Sequence, residues 1–220
     1  VRKTSAGRKR FPTDPNILGG GAPIELRTRE DMAEILRTTV LDDSWATFLK
    51  ADVRLDDGVE VSRQIVSHGH AAVVLPYDPI ARRVLMVRLL RAPALYAEGL
   101  QAVTEAVAGM IDPGETAEDA ARREAMEEVG VRLKALEPVG TYWATPGIST
   151  ERMTLFLAPY TQADRLTGGG GVEGEHEGIE VLELSLDDMK RMLEQGQLQD
   201  MKILALAQAL QLRHPELFQA

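Results

Sequence analysis

Between Gly109 and Gly130 the chain reads GMIDPGETAEDAARREAMEEVG, which spells out one helix together with both of its ends. Pro113-Gly114 make a turn, Thr116 stands at a capping position, and Asp119 three residues on completes a capping-box spacing. Gly130 supplies the left-handed stop. The spacing therefore predicts a helix from about 117 to 129. Ala117, Ala120, Ala121 and Ala125 keep one side slim enough to lie close on a sheet. Glu124, Glu127 and Glu128 stand at i, i+3 and i+4, on one face of the last turn. Each like-charge pair there costs about a few tenths of a kcal/mol in water, and more as the effective dielectric falls. The helix dipole disfavours anions at this end as well. A solvated glutamate-rich face is the plain reading of such a cluster. The chemical reading is a hard divalent cation, which prefers oxygen ligands and would remove all these penalties together.

The rest of the chain narrows the choice. Its 220 residues suit one large domain or a core domain with a smaller companion. A formal net charge of −9 argues against a nucleic-acid backbone or an anionic membrane as the main partner. It leaves room for a small anionic substrate if a bound cation inverts the local field. With no cysteine, disulfides, thiolate metal sites and cysteine nucleophiles are excluded. The four histidines, His68, His70, His176 and His214, lack a zinc-ligand spacing. No apolar run has the length of a membrane span, and the basic lead VRKTSAGRKRFPTDP lacks the apolar core of a signal peptide. A cytoplasmic location is expected.

Residues 1–22 read as a flexible tail ending in LGGGAP. Thr28–Val40 has a threonine cap, early acids and apolar residues at Met32, Ile35 and Leu36, and is expected as a short amphipathic helix. WATFLKADVRL and VEVSRQIV alternate around Asp57-Gly58 and predict a hairpin. HAAVVLPYD and RRVLMVRLLR are nearly all apolar inside, as strands buried on both faces are. Further strands are expected in LEPVGTYWATPG, ERMTLFLAPYT and GIEVLELS, with the glycine run Gly168–Gly171 as a mobile loop. Two helices, SLDDMKRMLEQG and DMKILALAQALQLRHP, close the chain. Strands, helix, strands and helices in that order predict an α/β (α+β) class.

The Gly109–Val131 stretch resembles the Nudix box, G-x5-E-x7-R-E-U-x-E-E-x-G-U with U aliphatic. Gly109, Glu115, Arg123, Glu124, Glu127, Glu128 and Gly130 occupy the fixed positions, with Ala125 and Val131 in the aliphatic ones. Matches at all the fixed positions arise by accident in roughly one chain per million of this length, which sets the solvated-face reading aside. The resemblance implies an α/β/α sandwich around a mixed sheet and hydrolysis of a nucleoside diphosphate linked to another group, with Mg²⁺ or Mn²⁺. It implies Glu124, Glu128 and the Ala108 carbonyl as metal ligands, Glu127 as ligand or water-bound helper, and Arg123 paired with Glu115 to hold the glutamates.

YWATPGISTERMTLFLA is similar to the S-P-G-x-x-x-E segment of the ADP-ribose pyrophosphatases, with Thr145 in place of the serine. GGGGVEGEHEGIEVLELS looks closer to the loop and strand of the GDP-mannose pyrophosphatases of the same branch. VRLLRAPAL is similar to the strand that offers an arginine to substrate phosphate, which maps onto Arg91, with Arg88 as the second candidate. In this branch the base comes from the acidic loop. Glu175 matches that position and Glu177 a neighbour that assists the metals, with Glu173 and His176 as alternatives. Glu151 is expected as a substrate or metal-shell acid, or as a surface residue. Glu105, among apolar neighbours, is expected to be paired, to substrate or to a partner chain. Trp45 and Trp143 are expected in core packing, with stacking on a nucleobase as the alternative. The implied substrate is a small-molecule nucleotide sugar, with no nucleic acid or membrane partner. Residues 23–66 would form a β-rich dimerisation piece with an N-terminal helix, ahead of a catalytic domain at 67–220, and the protein is expected to be a homodimer.

Overall fold

The computed structural model describes residues 32–172, 174 and 178–219. Among these residues ten strands form two sheets, accompanied by four α-helices. The first is a three-stranded antiparallel sheet of β1 (Glu34–Asp43), β2 (Thr47–Arg54) and β3 (Glu60–Ser67). Asp57-Gly58 makes the hairpin between β2 and β3, with the Gly58 N–H donating to the Leu55 carbonyl at 3.0 Å. The expected helix over Thr28–Val40 is wrong for its described part, which enters β1 at Glu34. Ile35, Thr38, Thr39 and Val40 are β-branched, and pairing along β2 supplies backbone partners that a short isolated helix lacks. Arg37 adds a 2.7 Å ion pair to Asp52 across that pairing. The outcome for residues 23–31 lies outside the described residues.

The second sheet has seven strands: β4 (Ala71–Asp78), β5 (Arg83–Leu89), β6 (Val103–Glu105), β7 (Val107–Met110), β8 (Glu137–Trp143), β9 (Arg152–Pro159) and β10 (Glu180–Ser185). Its main path runs β10-β5-β4-β9-β8, with β6 beside β5 and β7 beside β4. Only β4 and β9 run parallel, so the sheet is mixed as expected. Every residue of β4 is buried, because helices cover both faces. Ala72 and Val74 turn toward α2 (Ala117–Val129), meeting Ala120, Ala121, Ala125 and Val129. Val73 and Leu75 turn the other way, toward Leu186 and Met189 of α3 (Leu186–Glu194) and Ile203, Leu206 and Leu210 of α4 (Met201–Arg213). The alternation follows from the two-residue period of a strand. It makes the α/β/α sandwich.

α2 spans the expected residues. Thr116 Oγ1 accepts the Asp119 N–H at 3.1 Å, and Gly130 adopts φ 72° at the stop. One helix was not expected: α1 (Ala92–Glu98) follows β5 at once, with Pro93 in its first turn and Gly99 as its left-handed end. The apolar run that reads as one long strand therefore stops at Leu89, and Arg91 sits at the turn into α1. The two sheets are joined where the Val66 N–H donates to the Ile148 carbonyl at 2.8 Å. Among the described residues no helix is long and apolar enough to cross a membrane.

Candidate active site

A cleft of about 1020 Å³ opens between α2, β7, the start of α4 and the first sheet. Arg91, Glu105, Ala108, Arg123, Glu124, Glu127, Glu128 and Glu151 all line it. Of the other described candidates, Glu115 stands behind Arg123, Trp143 lies outside the cleft, and the Arg88 guanidinium stands 3.6 Å from Glu180 on the neighbouring strand. Glu173, Glu175, His176 and Glu177 lie outside the described residues.

Arg123 is the hub of the acid-rich wall. Its Nε and Nη2 donate to the two oxygens of Glu115, both at 3.0 Å. Nη1 donates to Glu124 Oε1 at 2.6 Å and Glu127 Oε2 at 3.2 Å, and Nη2 also reaches the Met110 carbonyl at 2.9 Å. The Arg123 hydrogen bonds, with the Asp112 N–H, hold the Glu115 carboxyl below its ordinary value. Glu115, and then Glu124, raise the Arg123 guanidinium further above its already high value, against the opposing effect of burial. Glu128 is only 5% exposed and accepts the Ala108 N–H at 3.2 Å. Among the described residues four carboxylates thus crowd one guanidinium and two peptide N–H groups, so acids outnumber cations on this wall.

Gly109 makes this crowding possible. A Cβ there would stand 1.7 Å from Glu124 Oε1, so a side chain on β7 would occupy the space of the carboxylate. An all-oxygen donor set with surplus negative charge, laid against bare backbone, fits a hard divalent cation in chemistry. In the arrangement described here the carboxylates turn to Arg123, and no three His, Asp or Glu among the described residues stand grouped as ligands.

The glycine run, expected as a mobile loop, docks on the end of this helix. The Gly170 and Gly171 N–H groups donate to the Glu128 and Glu127 carbonyls at 2.8 and 3.0 Å. These are carbonyls that a helix end leaves unpaired. Gly169, at φ 68°, has room for no Cβ, which would meet the Glu128 carbonyl oxygen at 2.3 Å.

The opposite wall is balanced. Arg91 Nε and Nη2 fork onto Glu105 Oε1 and Oε2 at 2.7 and 3.0 Å. Lys202 Nζ approaches Glu105 Oε2 at 3.0 Å and Asp200 Oδ1 at 2.8 Å. Burial works to raise the Glu105 carboxyl, which is 4% exposed, but Arg91 and Lys202 outweigh it and hold the group below its ordinary value. Burial likewise works to lower the Lys202 ammonium, and Asp200 and Glu105 outweigh it in the other direction. The expectation that Glu105 is paired matches this geometry, with partners inside its own chain. Lys202 and Asp200 were not picked out from the sequence. The signal was a lone lysine in the first turn of an apolar helix, where a cation opposes the dipole.

At the mouth, Trp45 is 80% exposed and stacks on His68 with ring centroids 5.0 Å apart. His68 Nε2 lies 3.7 Å from Glu151 Oε2. The expected core packing of Trp45 and Trp143 is wrong. Trp45 sits in the β1–β2 turn, and Trp143, 54% exposed at the end of β8, lies outside the cleft with the Arg152 guanidinium 5.6 Å above its ring.

Residues 67–206 match the NUDIX domain. The ADP-ribose pyrophosphatase of Escherichia coli strain K12 is 37% identical over 160 residues, covering 72% of this chain and 75% of the relative. The GDP-mannose pyrophosphatase of Cronobacter sakazakii is 35% identical over 186 residues, covering 82% of this chain and 95% of the relative. A crystal structure of an ADP compounds hydrolase superposes with a TM-score of 0.65 at 19% identity, covering 83% of this chain and 96% of that one.

Proposed function

The chain belongs to the Nudix family, and from that premise we propose that it hydrolyses the diphosphate bond of a nucleoside diphosphate sugar, ADP-ribose or GDP-mannose, in the cytoplasm. The products are a nucleoside monophosphate and a sugar phosphate. One observation carries the reading: the surplus-negative wall of α2 and the phosphate-sized cation Arg91 face the same cleft. The pyrophosphatase names of the relatives agree with it.

In this reading Glu124, Glu128 and the Ala108 carbonyl hold Mg²⁺ or Mn²⁺, with Glu127 as a further ligand or bound to its water. Bound there, the cation supplies neutralisation of the bridging oxygens and a more acidic water. Arg123, tied to Glu115, keeps the glutamates on one face as they change partners. Arg91 clamps a substrate phosphate. Trp45, exposed over the cleft, offers its ring to the nucleobase, and Glu151 faces the substrate or the metal shell. Glu175 is the general base, and Glu177 beside it assists the metals. The exposed β1, with Ile35, Leu36, Val40 and Leu41 outward, is the edge of a homodimer. Light scattering giving a monomer would remove that last element alone.

The deciding experiment gives purified protein and Mg²⁺ three substrates: ADP-ribose, GDP-mannose and a diadenosine polyphosphate. Monophosphate release from either sugar nucleotide is the expected result. Turnover of the dinucleotide alone, or of none with the fold intact, overturns the assignment.

A further inference from the structure

Lys202 ties α4 to β6 at the cleft, through Asp200 at the start of the helix and Glu105 on the strand. Asp200 Oδ2 accepts the Ile203 N–H at 3.2 Å, so the carboxylate that caps α4 also fixes the ammonium through its other oxygen. Lys202, 18% exposed in its side chain, passes this anchorage to Glu105 on β6, and Glu105 passes it to Arg91 at the start of α1. The Arg91 side chain is 44% exposed and lines the cleft. Two cations and two carboxylates cancel along this path.

We propose that Lys202 is a positioning residue for the phosphate of a nucleoside diphosphate: by holding Glu105 from the far side, it fixes the Arg91 guanidinium at the cleft wall and keeps that wall neutral. The inference rests on the reading of Arg91 as the phosphate clamp. Without the ammonium, Glu105 loses one of the two cations paired with it among the described residues. Arg91 is then drawn harder onto a buried carboxylate, and a phosphate must compete for it. Lys202 itself acts through Arg91, which a double-mutant cycle reads directly.

The test is steady-state kinetics with ADP-ribose at fixed Mg²⁺ for Lys202→Met, Lys202→Arg, Arg91→Ala and Arg91→Ala/Lys202→Met. Lys202→Met is expected to raise KM about tenfold while kcat changes little. Lys202→Arg, which keeps the charge, restores KM. Added to Arg91→Ala, the Lys202→Met change has no further effect on KM. An additive effect would mean that Lys202 meets substrate itself, and equal losses in kcat and kcat/KM would mean general damage; either overturns the proposal. If Arg91→Ala leaves KM unchanged, the reading of Arg91 has failed. If Arg91→Ala raises KM and Lys202→Met does not, only the role of Lys202 has failed. Should Lys202→Met not fold, Lys202→Gln carries the same comparison.

Discussion

Two walls of one cleft use glutamate in opposite ways. On the α2 wall, Glu115, Glu124, Glu127 and Glu128 share Arg123 and two peptide N–H groups. On the β6–α4 wall, Glu105 and Asp200 share Arg91 and Lys202. Among the described residues the first wall sets four carboxylates against one guanidinium, and the second sets two carboxylates against two cations. The difference teaches that the local count of opposite charges, more than residue type, marks where a counter-ion must come from solution. Burial of Glu128 and Glu105 is nearly the same, so desolvation alone does not distinguish them.

The contrast breaks most visibly at Glu128. Glu128→Gln removes one surplus charge but keeps an oxygen for the Ala108 N–H. It should lower kcat by about a thousandfold while thermal unfolding stays unchanged or shifts upward. A large drop in melting temperature would mean that this wall is balanced after all. At the other wall the same kind of change should hurt the fold. Glu105→Ala leaves the largely buried Lys202 ammonium and the Arg91 guanidinium without their shared carboxylate and should cost about 3 kcal/mol in urea denaturation.

Acid sharpens the comparison further. Glu105 and Glu115 both sit below the ordinary carboxyl value of 4.5, so the stability each supplies is complete above that value. It is lost as pH falls through the lowered folded-state value. A melting temperature followed from neutral pH down to that region should fall, and Glu105→Gln should flatten its share of the fall. The smallest effect is expected far from the cleft. Arg37→Ala breaks an exposed pair to Asp52 and should cost less than about 1 kcal/mol by the same denaturation measurement.

The best-read parts of the sequence were those whose signals are local. Thr116, the slim alanines and Gly130 specify α2 within its own stretch, and the unbroken apolar character of β4 announces burial on two faces. The acid wall was legible because its members lie on one helix. The second wall was only half legible: Arg91 and Glu105 were singled out, but Lys202 arrives from α4, nearly 100 residues beyond Glu105 in sequence, and its pairing depends on the sandwich closing. β1 failed for the same reason. Its apolar spacing suits a helix, and only the β2 partner decides otherwise. The tryptophans were misjudged because composition favours burying large rings, whereas Trp45 finds its stacking partner, His68, at the rim.

The docking of Gly170 and Gly171 on the carbonyls of Glu127 and Glu128 has a consequence for how such a chain can vary. The acid-bearing helix ends against a segment that belongs to the next loop, and that loop is seated up to Gly171. Insertions or deletions beyond Val172 can therefore lengthen or shorten the acidic loop while the glutamates of the helix keep their places. A deletion among Gly169, Gly170 and Gly171 has no such freedom, because it would unseat the helix end itself.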